Sequence, residues 1–182
     1  MEIVNIVASG DLGVELDLTP LYTDITAENV QYDPEQFPGL QVRFSQEGPV
    51  IMLFSSGSYT IVGADTQDQV QSLYDRLNES LNKLGIEYEF EEGKPEIQNL
   101  ICKGDLGREI DLDALVIALG LENVEYEPEQ SPFVYYWPDG FDCLITIPTN
   151  GQCIVTGVKS IKEANRAFTS FREEVERLFS GE

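Results

Sequence analysis

The groups able to do chemistry in this chain are 33 carboxylates, three thiols and eleven cations, with no histidine. Without imidazole there is no Ser-His-Asp or Cys-His machinery and no histidine-ligated metal. Carboxylates are so abundant that close pairs arise from composition alone, and no motif sets a nucleophile beside a base. Cys102, Cys143 and Cys153 have neither the spacing of a zinc site nor the even count of a disulfide framework. They read as small buried residues of a reducing compartment. The tetrapeptide GDLG occurs at Gly10 to Gly13 and at Gly104 to Gly107. No lysine follows it as a phosphate loop requires, so it reads as a turn. The expectation is a protein that is not an enzyme and holds no cofactor or metal.

Charge narrows the classes further. Eleven cations against 33 acids leave −22, and such a surface taken alone repels nucleic acid. Molar salt offers a second reading, because there the Debye length falls to about 3 Å and acidity serves solubility. The presence of only five lysines leans toward it. A 42% hydrophobic content is that of a globular chain. The apolar runs fall short of a membrane span and the N-terminus lacks a signal-peptide pattern, so the expected location is the cytoplasm.

What positions these groups is an internal repeat. With Asn5 set over Asn99, an offset of 99 − 5 = 94, IVNIVASGDLGVELDL (Ile3 to Leu18) lies over IQNLICKGDLGREIDL (Ile97 to Leu112) without a gap. ENVQYDPEQFP lies over ENVEYEPEQSP, Gly57 over Gly151 and Gly63 over Gly157. Two copies are too few for a solenoid, so one pseudo-symmetric body is expected, residues 1–92 and 93–182. Each copy reads as an opening strand, a short helix capped by Asp17 or Asp111, a run of strands broken by glycines, and a long amphipathic helix. That helix is expected at about Thr66 to Leu84, and again at about Ser160 to Phe179. Glu87 to Pro95 reads as a polar linker. The fold class is α+β: antiparallel strands with helices on one face.

Helices on one face leave the other face of the sheet open. Alternation puts Asn5 with Val7, Met52 with Phe54, and Thr60 with Val62 on one side, opposite Ile6, Leu53 and Ile61. If the helices cover the second set, the uncovered face is apolar and weakly polar, which marks an interaction surface.

The motifs VNIVAS, IQNLICKGDLG, YDPEQFPGLQVRF, YEPEQSP, LFSSGSYTIVGAD and NGQCIVTGVKS resemble the TATA-box-binding protein family in its archaeal form, across nearly the whole chain. The resemblance implies a saddle of two copies, a curved antiparallel sheet below and helices above. It implies promoter DNA held in the minor groove of an A·T-rich site, kinked by phenylalanine wedges. The implied partner is transcription factor B, and the implied location is the archaeal nucleoid. By resemblance, Asn5 and Asn99 donate to minor-groove acceptors, beside Val7 and Ile101. Phe37 and Phe54 are a wedge pair. Thr60, Val62, Ile154 and Thr156 complete the floor, and Arg43 contacts phosphate. Glu127 and Glu129 face transcription factor B.

The second copy departs from this pattern. Ser131 and Pro148 stand opposite Phe37 and Phe54, Trp137 opposite Arg43, and Thr146 opposite Met52. Ser58 and Gln152 replace the family's usual lysine. Phe133, Trp137 and Phe141 are the aromatic residues left as substitute wedges, at spacings that fit poorly. A second reading follows: a relative that does not bind DNA by itself and serves as a protein-interaction or regulatory module.

Overall fold

The computed structural model describes residues 1–180. By backbone proximity it divides into two units, Asn5–Gln98, and Asn99–Glu182 together with Met1–Val4.

In the first unit, strands β2 (Asn29–Asp33), β3 (Phe37–Arg43), β4 (Val50–Leu53), β5 (Ser58–Ala64) and β1 (Glu2–Asp11) lie side by side in that order. Every pairing is antiparallel. Two helices accompany them, α1 (Leu18–Asp24) and α2 (Gln67–Lys83). The Asp17 carboxylate accepts from the Thr19 N–H at 3.2 Å, and the Thr66 hydroxyl accepts from the Gln69 N–H at 3.2 Å. Each cap satisfies a donor that the first helical turn leaves open. From α2, Val70, Leu73, Tyr74, Leu77 and Leu81 are buried, as are Ile6, Ala8, Leu40, Val42, Ile51, Leu53 and Ile61 from the strands. Each such aliphatic side chain contributes roughly 1.5–3 kcal/mol by leaving water.

The second unit repeats the plan. Strands β6 (Glu96–Asp105), β10 (Gln152–Val158), β9 (Leu144–Ile147), β8 (Val134–Tyr136) and β7 (Val124–Glu125) are neighbours in that order, with helices α3 (Leu112–Leu119) and α4 (Ile161–Ser180). Asp111 caps α3, accepting from the Ala114 N–H at 3.0 Å. Ala164, Ala167, Phe168, Phe171 and Val175 of α4 are buried, with Leu100, Cys102, Val134, Ile145, Ile147 and Val155 from the strands. The Tyr136 hydroxyl donates to Glu174 on α4 at 2.9 Å, and burial, then that carboxylate, pushes its pKa up.

Two elements differ from expectation. Strands β7 and β8 are shorter than β2 and β3, because Pro132 and Pro138 flank β8 and a proline has no N–H for a ladder. The segment read as a polar linker is instead part of the first unit's packing. Its acids alternate with aromatics, so Tyr88 and Phe90 share a side and turn inward. Phe90 stacks on Tyr74 with centroids 4.9 Å apart, and the Tyr74 hydroxyl donates to the Phe90 carbonyl at 2.8 Å. The Tyr59 hydroxyl donates to the Gly93 carbonyl at 2.6 Å.

Candidate nucleic-acid interface

The face away from the helices begins, in the first unit, with Asn5. Strand β1 changes register between Ile6 and Val7, and Gly63 on β5 takes φ 98°, a conformation favourable only to glycine. The bulge turns the Gly63 N–H onto the Asn5 side-chain oxygen at 2.9 Å. A backbone N–H bonds only to an acceptor, so the amide oxygen of Asn5 is fixed inward and its NH2, with two donors, is left for a ligand. The second unit does the same. Gly157, φ 97°, donates to the Asn99 oxygen at 2.8 Å, and one Asn99 N–H goes on to the Thr156 hydroxyl at 3.3 Å.

Around Asn5 the register lays out rows. Val7 faces Val62, and Ser9 faces Thr60. Val62 in turn faces Val50, and Thr60 faces Met52. Met52 faces Gln41, and Arg43 faces Asn29 at the outer edge. All but the exposed Asn29 are half-buried, in contrast to the fully buried residues between them. Phe37 and Phe54 meet edge to face, ring centroids 5.9 Å apart. They lie over Gly39, where an added Cβ would fall 2.6 Å from Phe37 and 3.0 Å from Phe54. The predicted residues Asn5, Val7, Phe37, Arg43, Phe54, Thr60 and Val62 therefore share one face.

In the second unit Ile101 faces Thr156 and Lys103 faces Ile154. Ile154 faces Thr146, Thr156 faces Leu144, and Tyr135 faces Thr146. Asn99, Ile101, Ile154 and Thr156 thus come together as expected. Ser131 hydrogen-bonds the Tyr135 hydroxyl at 3.0 Å. Of the substitute wedges, Phe133 and Trp137 continue the alternation of Tyr135 onto this face and are 37% and 43% exposed. Phe141 does not: its ring lies 5.8 Å from the Arg166 guanidinium of α4, on the helical side.

Glu127 and Glu129 are separated in role. The Glu127 carboxylate accepts from the Gln130 side chain of its own turn, as Asp33 accepts from Gln36 at 2.7 Å in the first unit. Glu129 is exposed. Sequence reasoning missed Lys103, which stands at the position of Ser9, and Gly39. The 94-residue offset carried the signal for Lys103.

The remaining cations lie elsewhere. Arg76 covers the Phe44 ring at 4.5 Å, Arg108 covers Phe179 at 4.8 Å, and Lys94 pairs with Glu91 at 2.7 Å. Among the described residues no group of histidine, cysteine and acidic side chains is placed to hold a metal, and no helix is long and apolar enough to cross a membrane.

This arrangement has known counterparts. The family model described as transcription factor TFIID (or TATA-binding protein, TBP) matches residues 1–84 and again 94–178. TATA-box-binding protein C of Halobacterium salinarum is 37% identical over 178 residues, covering 98% of both chains. The TATA-box-binding proteins of Natronomonas pharaonis and Archaeoglobus fulgidus are 36% and 33% identical over 98% of this chain and 94% and 96% of theirs. The solved structure of Methanococcus jannaschii TBP superposes with a TM-score of 0.82 at 34% identity, over 97% of this chain and 98% of that one. These relatives lend nothing to the reading of a module that leaves DNA alone. With both repeats matched and the fold shared end to end, the chain belongs to the TATA-box-binding protein family.

Proposed function

We propose that this chain is a transcription factor that holds A·T-rich promoter DNA in the minor groove. The observation that carries the reading is the orientation of Asn5 and Asn99. Bulge glycines hold both amide oxygens inward, so the free donors face outward from each open face. The minor groove of A·T pairs presents only acceptors, adenine N3 and thymine O2, while a G·C pair adds a donor that opposes an amide NH2. The apolar rows beside each asparagine suit sugar edges, and the Phe37–Phe54 pair suits insertion at a base step. Arg43 at the edge suits a phosphate.

Transcription factor B is the proposed protein partner, met at the turn that carries Glu127 and Glu129. Glu127 shapes that turn and Glu129 is available for contact. The working place is the archaeal nucleoid, and no catalytic step is assigned.

The test is a fluorescence-anisotropy titration with A·T-rich and G·C-rich duplexes, at low and at molar KCl, with and without transcription factor B. Saturable binding that prefers the A·T-rich duplex and is lost in Phe54→Ala supports the reading. Equal binding to both duplexes, or none in any condition with the fold intact by circular dichroism, rejects it.

A further inference from the structure

The second unit's open face is rebuilt in a coordinated way. In the first unit two phenyl rings lie on a bare glycine, and a Cβ at Gly39 would collide with Phe37 at 2.6 Å and crowd Phe54 at 3.0 Å. At the matching place the second unit has a full side chain, Phe133, and the two rings it would displace are already gone, replaced by Ser131 and Pro148. The Ser131 hydroxyl is instead tied to Tyr135. Three strands across, on β6, the first unit's Ser9 becomes Lys103, half-buried and opposite Ile154 in the row that runs through Thr146 to Tyr135. Its nearest acid along the strand, Asp105, is turned away to accept the Gly107 N–H at 2.7 Å. In a chain of net charge −22, an ammonium placed beside the apolar floor residues Ile101 and Ile154 has no ion pair among the described residues.

We infer that the second unit holds the minor groove through Lys103, a floor cation, in place of an inserted phenyl pair. This deepens the proposed function and rests on it. An ammonium carries three donors and no acceptor. It matches a groove wall that offers only acceptors, and it is drawn to the strong negative potential of a narrow A·T groove. The two units then act on DNA by different physics. The first deforms it by ring insertion beside the edge contact of Arg43, and the second adds a counterion-releasing contact on the floor itself.

The experiment measures affinity across a KCl series by anisotropy, and bending by energy transfer between the ends of the same A·T-rich duplex. Lys103→Ser restores the first unit's residue, Lys103→Met keeps the stem without charge, and Lys103→Arg keeps the charge. The expected result is a loss of about tenfold in affinity for Lys103→Ser and Lys103→Met, with a salt slope shallower by about one. Bending stays unchanged, and Lys103→Arg keeps the wild-type slope. Phe37→Ala gives the converse, reduced bending with the slope unchanged. A wild-type protein that binds while Lys103→Ser leaves affinity and slope unaltered overturns this inference alone. So does a Lys103→Met loss with an unaltered slope, which marks a packing role. A wild-type protein that binds neither A·T-rich nor G·C-rich DNA overturns the proposed function and this inference with it.

Discussion

Phe37 opens β3 and Phe54 follows the end of β4, yet their rings meet edge to face at 5.9 Å, with an interplanar angle of 66°. The contact is worth about 0.5–1.5 kcal/mol beyond burial and pre-arranges the rings before any ligand arrives. Gly39 makes it possible, since an added Cβ would sit 2.6 Å from one ring. Gly39→Ala is therefore expected to spread the pair without unfolding the chain, because what it strikes are mobile ring edges. DNA affinity should fall by roughly 1–3 kcal/mol, the scale of one lost base–aromatic stack, while the melting temperature moves by only a few degrees. An anisotropy titration and a thermal melt of the variant decide it. Unchanged affinity would mean the rings do not act as a preformed pair.

The asparagines allow a cleaner substitution. Asn5→Asp keeps the acceptor that holds the Gly63 N–H but removes both donors and adds a negative charge. The fold should survive, and binding to A·T-rich DNA should weaken by about 1–3 kcal/mol. Asn5→Ala should also lose stability, because the Gly63 N–H is left without its partner. If Asn5→Asp binds as the parent does, the donors are not used.

Much of this was legible in the residues alone. The exact 94-residue offset gave the doubled plan, and Asp17, Asp111 and Thr66 marked helix starts that the caps bear out. Period-2 alternation separated Asn5, Val7, Thr60 and Val62 from Ile6 and Ile61. The direction of the asparagine amides was not legible. It depends on bulges between Ile6 and Val7 and between Thr156 and Val158, and a register shift has no local composition. Gly39 read as a strand breaker because its service to two rings is a contact across strands. Tyr88 and Phe90 read as linker because acids surround them, although alternation already put them on one side.

The thiols give a prediction in pH. Burial pushes Cys143 up to about 11, helped by Glu163 and Asp142, and Cys153 up to about 12, helped by Asp105. Cys102 is raised by burial too. Unfolded, these thiols ionise near 9. Between about pH 9 and 12 the unfolded chain has therefore lost protons that the native chain still holds. Stability that is fully present below pH 9 is lost as pH rises, by up to about 1.4 kcal/mol per pH unit for each such group. Buried Tyr59 and half-buried Tyr88, also raised by desolvation, extend the trend. Urea midpoints from pH 7 to 11 should fall steadily, and a disulfide reagent at pH 8 should label three thiols only after unfolding. Rapid labelling of the native protein would contradict this.

Salt should raise stability while weakening the cationic part of DNA binding. With a net charge of −22, the native chain carries uncompensated repulsion. Ion pairs such as Lys94–Glu91 and Arg172–Glu176 join exposed neighbours along the chain and offset little of it. Raising KCl from about 0.05 M to 2 M shortens the Debye length from over 10 Å to about 2–3 Å, so the repulsion is screened. The melting temperature is expected to rise by at least about 5 °C, on the order of 1–2 kcal/mol for a chain of this size. Over the same range the cationic part of DNA binding weakens, while the contacts of Phe37, Phe54 and the apolar rows persist. Thermal melts and anisotropy titrations on one salt series measure both. A melting temperature that is flat or falling would show that the acidic surface is not under electrostatic strain. An affinity that drops to nothing in molar KCl would show that the open faces rely on charge rather than on shape.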